Sequence, residues 1–116
     1  MAAKNPAFMA GVPELVVLGL LANRDMYGYE IARSIRAASR EAFSLGEGVL
    51  YPVLHAMESR GLVRTRTSRV DGRIRIYYSL TAQGRKRLDR LSADWRRMSV
   101  GIDSILGRSL GSPKIP

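Results

Sequence analysis

Residues 44–80 read SLGEGVLYPVLHAMESRGLVRTRTSRVDGRIRIYYSL. Ser44 stands three residues before Glu47, the spacing of a capping box, so a helix is expected to open at Ser44 and run to about residue 60. Val49, Leu50, Val53, Leu54 and Met57 fall on one helical stripe, with Gly48, Tyr51, Pro52, His55 and Ser59 opposite. Gly61 supplies a left-handed stop. From Leu62 onward polar and apolar residues alternate, and Asp71-Gly72 marks the tip of a two-stranded hairpin. A helix followed directly by a basic hairpin is the order of a winged helix-turn-helix, which reads the chain as DNA-binding.

Working outward, Asn5-Pro6 breaks a loose arm over residues 1–10, and Pro13 suits the first turn of a helix. Residues 14–22 are apolar nearly all round, so that helix is expected to sit centrally. A short polar break at residues 23–26 precedes a second helix over about 27–38, with Asp25 as its cap. Tyr27, Ile31 and Ile35 share a stripe there, while Arg33, Arg36 and Arg40 stay accessible. Residues 39–43 make the connection to the helix at Ser44.

Downstream of the hairpin, Thr81 is a good N-cap for a helix reaching about residue 106. Its apolar positions Leu88, Leu91, Trp95, Met98, Ile102 and Ile105 are spaced three, four, three, four and three, a sustained heptad seam. At 1.5 Å per residue this helix is about 37 Å long, and it overhangs a domain built from the preceding residues. A second copy covering the seam makes a homodimer. The other reading folds the seam back onto the chain's own first helix, and the two can occur together. The chain is therefore expected to be mainly α with a small β-hairpin. It divides into an arm (1–10), a winged helix-turn-helix (11–80), a long C-terminal dimerisation helix (81–107) and a flexible tail (108–116).

The 116 residues carry 19 Lys and Arg against 10 Asp and Glu, a net charge of +9. That excess favours polyanions, nucleic acid or an anionic membrane. Cysteine is absent, which excludes disulfides, thiolate metal sites and cysteine nucleophiles. The apolar run over 15–22 follows Glu14, ends at Arg24 and Asp25, and is too short to span a bilayer. A soluble cytoplasmic protein with no membrane partner is expected. One histidine, no triad spacing and no glycine-rich phosphate loop leave nothing to carry catalysis. Gly46 and Gly48 lack the preceding strand and third glycine of a dinucleotide site. No enzyme, metal or cofactor is expected.

Candidate DNA contacts on the helix are Ser44, Gly48, Tyr51 and His55. Tyr51 either meets a phosphate or thymine methyl, or serves as a half-buried anchor; His55 either donates to DNA or is simply solvated. Gly48 permits close backbone approach. In the hairpin the candidates are Arg64, Arg66, Arg69, Arg73 and Arg75, opposed by Asp71 alone. Arginine matches phosphate through its planar donors and fits narrow minor grooves. Arg69 and Arg73, nearest the tip, are the strongest candidates. Alternation puts Arg73, Arg75 and Tyr77 on one face, with Ile74, Ile76, Tyr78 and Leu80 on the other. Arg85, Lys86, Arg87, Arg90, Arg96 and Arg97 read mostly as a solvated helix face, partly offset by Asp89 and Asp94. Trp95, the single tryptophan, either fills an interface or pairs across a two-fold axis as an aromatic floor for a flat apolar molecule. Two rival functions remain: a small-molecule binding and sequestration protein with an incidental basic surface, and a non-specific nucleic-acid binder.

The motifs MYGYEIARSI, FSLGEGVLYPVLHAMESRGLVR and RIRIYYSLTAQGRKRL closely resemble the PadR family of bacterial transcriptional regulators. The matching positions are Gly28-Tyr29-Glu30, Gly48 through Leu54, Gly61 through Val63, and Tyr77 through Gly84. The resemblance implies a winged-helix dimer that usually represses genes and releases double-stranded DNA on binding a small effector. It implies that Pro52 is a family feature, and that the short C-terminal region belongs to the subgroup with one dimerisation helix. It also implies a flat aromatic or drug-like effector near Trp95, with Leu15 and Leu18 as neighbours. Val70-Asp71-Gly72 departs from the more glycine-rich wings usual in the family. Two-fold symmetry predicts a pseudo-palindromic operator with half-sites about one helical turn apart, or a multiple.

Overall fold

The computed structural model describes residues 11–42 and 44–107. The arm over 1–10, Phe43 and the tail from 108 lie outside the described residues. The elements are α1 (Val12–Leu21), β1 (Met26–Tyr27), α2 (Gly28–Ala38), α3 (Glu47–Ser59), β2 (Val63–Val70), β3 (Arg73–Leu80) and α4 (Ala82–Ile105).

Pro13 does sit in the first turn of α1, where its missing donor is harmless. Val17 and Leu18 are fully buried, and α1 packs against α2, α3, α4 and β3. The core around it is closed by Ile31 of α2 and by Leu50, Leu54 and Met57 of α3. The all-round apolarity of α1 is thus the signature of a helix with neighbours on several sides.

Two helix starts differ from expectation. The extended backbone of Tyr27, not Asp25, leads into α2, and its N–H donates to Glu30 Oε1 at 3.3 Å. Asp25 instead reaches Arg66 at 3.5 Å. For α3 the cap residue is Gly46, and the exposed Ser44 lies outside the helix. The reason is Leu45, which enters the core together with Leu50. Those are the N′ and N4 positions of a hydrophobic staple, and seating Leu45 carries the helix start past Ser44.

Gly61, at φ 76, closes α3. Its N–H donates to Glu58 O at 3.0 Å and that of Leu62 to Met57 O at 2.9 Å, the paired bonds of a Schellman motif. The hairpin then runs in register from Val63↔Leu80 to Val70↔Arg73. Asp71 (φ 51) and Gly72 (φ 76) form its tip, both left-handed as a type I′ turn requires. The break after α1 also contains a strand that alternation does not reveal. Met26 pairs with Tyr78 and Tyr27 with Tyr77, making a three-stranded antiparallel sheet in the order β1-β3-β2.

Thr81 knots the wing to α4. Its Oγ1 accepts from Gly84 N–H at 3.0 Å and donates to Gly61 O at 2.7 Å, while its N–H donates to Leu62 O at 3.1 Å. Gly84 presses on the Leu62 carbonyl and the Leu80 side chain, leaving no room for a Cβ. From there α4 runs 24 residues. Leu88 is buried and Leu91 half-buried against the chain's own core, so the seam folds back at its beginning. Further along it is open: Trp95 is 46% exposed, Met98 55% and Ile105 84%.

Candidate nucleic-acid interface

Strand register sorts the wing arginines by face, because side chains alternate with period two. Arg66 lies opposite Tyr77, Val70 opposite Arg73, and Arg69 opposite Ile74. Arg64, Arg66, Arg73 and Arg75 therefore share one face with Tyr77, while Arg69 stands on the other with Ile74 and Ile76. The two arginines nearest the tip flank it from opposite sides.

On the arginine face the side chains are braced. The Arg66 guanidinium lies 4.6 Å from the centroid of Tyr77, and that of Arg75 lies 4.4 Å from the centroid of Tyr27. The two tyrosines meet edge-on at 5.4 Å. Stacking on an aromatic face restrains an arginine while leaving in-plane donors for a phosphate. Asp25 joins Asp71 as a second carboxylate near this face, through its contact with Arg66. Arg64, Arg69 and Arg73 are exposed and form no ion pair among the described residues.

The opposite face is apolar toward its end: Ile74 is 62% exposed and Ile76 51%. They line an open cleft of about 260 Å³ with Tyr29, Tyr51 and Arg75, where the start of α2, α3 and the wing meet. Gly48, Pro52 and His55 are exposed along α3. Tyr51 is half-buried, its hydroxyl so close over Gly28 that an added Cβ there would lie 2.8 Å from its Cζ. The packing is that of an anchor, with one side of the ring left in the cleft. Tyr27 and Asp25 were missed as site-shaping residues. A two-residue strand is too short to show a period, so no local signal marked them.

Behind this surface Glu14 accepts hydrogen bonds from Arg87 Nε at 2.8 Å and Arg60 Nη1 at 3.4 Å. Burial pushes the Glu14 carboxyl up, but the hydrogen bond and charge of Arg87, with help from Arg60, hold it below its ordinary value. The same hydrogen bond raises Arg87. Arg87 therefore leaves the expected solvated face and ties α4 to α1. Burial, with Glu58 and Tyr51 nearby, raises the Tyr78 hydroxyl.

Trp95 borders an open cavity of about 210 Å³ with Gly11, Val12, Leu15, Leu91, Asp94 and Met98. Leu15 is a neighbour as expected; Leu18 is not, because it is sealed in the core. On a helix apolar all round, sequence does not distinguish the residue facing α4 from the one facing inward. Among the described residues no His, Asp and Glu group is placed to hold a metal ion. No helix there is long and apolar enough to cross a membrane.

A helix-turn-helix closed by a β-hairpin and followed by a long helix is a winged-helix protein. A profile of the transcriptional regulator PadR-like family matches residues 17–90. Transcriptional regulator Rv3488 of Mycobacterium tuberculosis is 32% identical over 100 residues, 86% of this chain and 88% of its own. A PadR family transcription regulator from Clostridium difficile superposes with a TM-score of 0.74 at 34% identity, covering 84% of this chain and 100% of that one. Bacillus subtilis PadR in complex with operator DNA gives a TM-score of 0.63 at 25% identity, over 69% of this chain and 46% of that one. The chain belongs to the PadR-like family of transcriptional regulators.

Proposed function

We propose that the protein is a sequence-specific DNA-binding regulator, a cytoplasmic homodimeric repressor that responds to a small effector. The wing carries this reading: five arginines on a hairpin with a rigid type I′ tip, two of them braced by tyrosines. The solved complex of Bacillus subtilis PadR with operator DNA supports the same role. Helix α3 enters a major groove, about 12 Å wide, and presents Gly48, Tyr51 and His55, with Ser44 ahead of it. The wing lays Arg64, Arg66, Arg69, Arg73 and Arg75 on the neighbouring backbone or minor groove. Trp95, Met98, Ile102 and Ile105 pack on a second copy, while Leu88 and Leu91 start the seam within the chain's own fold. The cavity between Trp95 and Leu15 receives a flat aromatic or drug-like effector. The operator is pseudo-palindromic, following the two-fold axis.

The test is titration against the protein's own upstream DNA and a scrambled duplex, at two salt concentrations. A preference of ~10³-fold or more is expected of operator binding. Equal affinity for both duplexes refutes recognition of that DNA and favours the non-specific or sequestration reading.

A further inference from the structure

Where α3 ends and α4 begins there is an open cavity of about 520 Å³ that the regulator function leaves unused. It is lined by Arg60, Leu62, Gln83, Lys86, Arg87 and Arg90. Lys86, Arg87 and Arg90 share a side of α4 because residues three and four apart are helical neighbours. Arg60 arrives from the C-cap of α3. The counter-charges are Glu14, which holds Arg87 and Arg60, Asp94, whose charge also acts on Arg87, and Asp89 on the same helix, which forms no ion pair among the described residues. Asp94, one turn further along α4, is taken up by Arg97 at 3.2 Å. Lys86 and Arg90 form no ion pair among the described residues. Two like charges four apart on a helix destabilise it, unless an anion sits between them. The carbonyls just past α3 are neutral acceptors already engaged, Gly61 O by Thr81 and Arg60 O by Gln83.

We propose that this cavity binds an oligophosphate anion, a di- or triphosphate either free or carried by a nucleoside. Several phosphoryl groups in a row satisfy cations that come from two elements, Arg60 at the end of α3 and Lys86 to Arg90 over one turn of α4, as a single orthophosphate does not. Arg60 and Arg90 offer planar forks to phosphate oxygens, and Lys86 a compact charge. The volume lies within the usual range for small-molecule sites. No aromatic side chain lines the cavity, so the phosphates and not a base are recognised. The site shares no residue with the wing and lies about 18 Å along α3 from Gly48, at 1.5 Å per residue.

Calorimetric titration of the full chain with inorganic triphosphate tests the proposal. K86Q/R90Q should bind at least tenfold more weakly, and R69Q/R73Q within twofold of the native chain. E14Q, which frees Arg60 and Arg87, should bind severalfold more tightly, a gain that structural damage does not mimic. ATP should match triphosphate within about threefold. The proposal is overturned if K86Q/R90Q binds like the native chain, or if R69Q/R73Q weakens binding as much, since net charge alone then explains it. Operator duplexes with and without ten extra flanking base pairs separate the remaining source of phosphate. If K86Q/R90Q weakens only the longer duplex and triphosphate does not bind, the cluster serves flanking DNA and the oligophosphate site is refuted. Lys86 and Arg90 are exposed, so circular dichroism of the double variant should be native.

Discussion

Gly84→Ala and Gly101→Ala make the same change in the same helix and should move stability in opposite directions. At Gly101 an added Cβ meets nothing within 4 Å, so alanine should stabilise by about 0.5–1 kcal/mol through helix propensity alone. At Gly84 the new Cβ collides with the Leu62 carbonyl oxygen and lies 2.8 Å from Leu80 Cδ1. The carbonyl has little freedom to retreat, because it already accepts from Thr81 N–H at 3.1 Å. Relief means shifting α4, which disturbs that bond and the Thr81 cap on Gly84. Losing two such bonds costs about 2 kcal/mol, and overpacking adds about 1–3 kcal/mol. Set against a propensity gain of about 1 kcal/mol, the net destabilisation is about 2–4 kcal/mol. Urea unfolding at one fixed chain concentration reads both variants. A stabilised or unchanged Gly84→Ala would refute the reasoning, showing that α4 does not dock on Leu62 as described.

Three further outcomes are expected. Glu14 titrates below its ordinary value of 4.5 in the folded chain, so its stabilising contribution is full above that value and is lost as pH falls through the folded pKa. The stability gap between native protein and Glu14→Gln should therefore close in acid denaturation series below about pH 4.5, and a gap constant with pH refutes the ion-pair role. Met98→Asp places a charge on the open half of the seam and should yield monomer in sedimentation velocity while helicity persists; an unchanged dimer would place the interface elsewhere. Arg69→Ala or Arg73→Ala should weaken operator binding uniformly across sequences and lower the salt slope by about one unit. Altered preference at one base position would show base reading instead.

How much was legible depended on distance along the chain. Pro13, the Asp71-Gly72 tip and Thr81 are local signals, and each falls where its element begins or turns; the heptad spacing likewise lies along the α4 helix. Ser44 failed as a cap because a buried Leu45 outweighs one capping bond, and burial is a tertiary property. The two-residue β1 has no period to detect. Pairing of Arg69 with Ile74 rather than with the arginine face follows from register, which alternation within one strand does not define. Arg87 and Glu14 are 73 residues apart, so the charge that looked solvated on α4 acquired its partner only through folding.

The Thr81 knot also makes α4 a lever. One residue joins the end of α3, the base of the wing and the first turn of the long helix, so these move together. With Ile105 about 36 Å from that fulcrum at 1.5 Å per residue, a tilt of 5° displaces the far end of α4 by roughly 3 Å. In the reverse direction, a shift of about 3 Å at that far end corresponds to a rotation of about 5° at the Thr81 end. Thr81 thus makes the base of α4 the point at which any tilt of the long helix would be felt by α3 and the wing together.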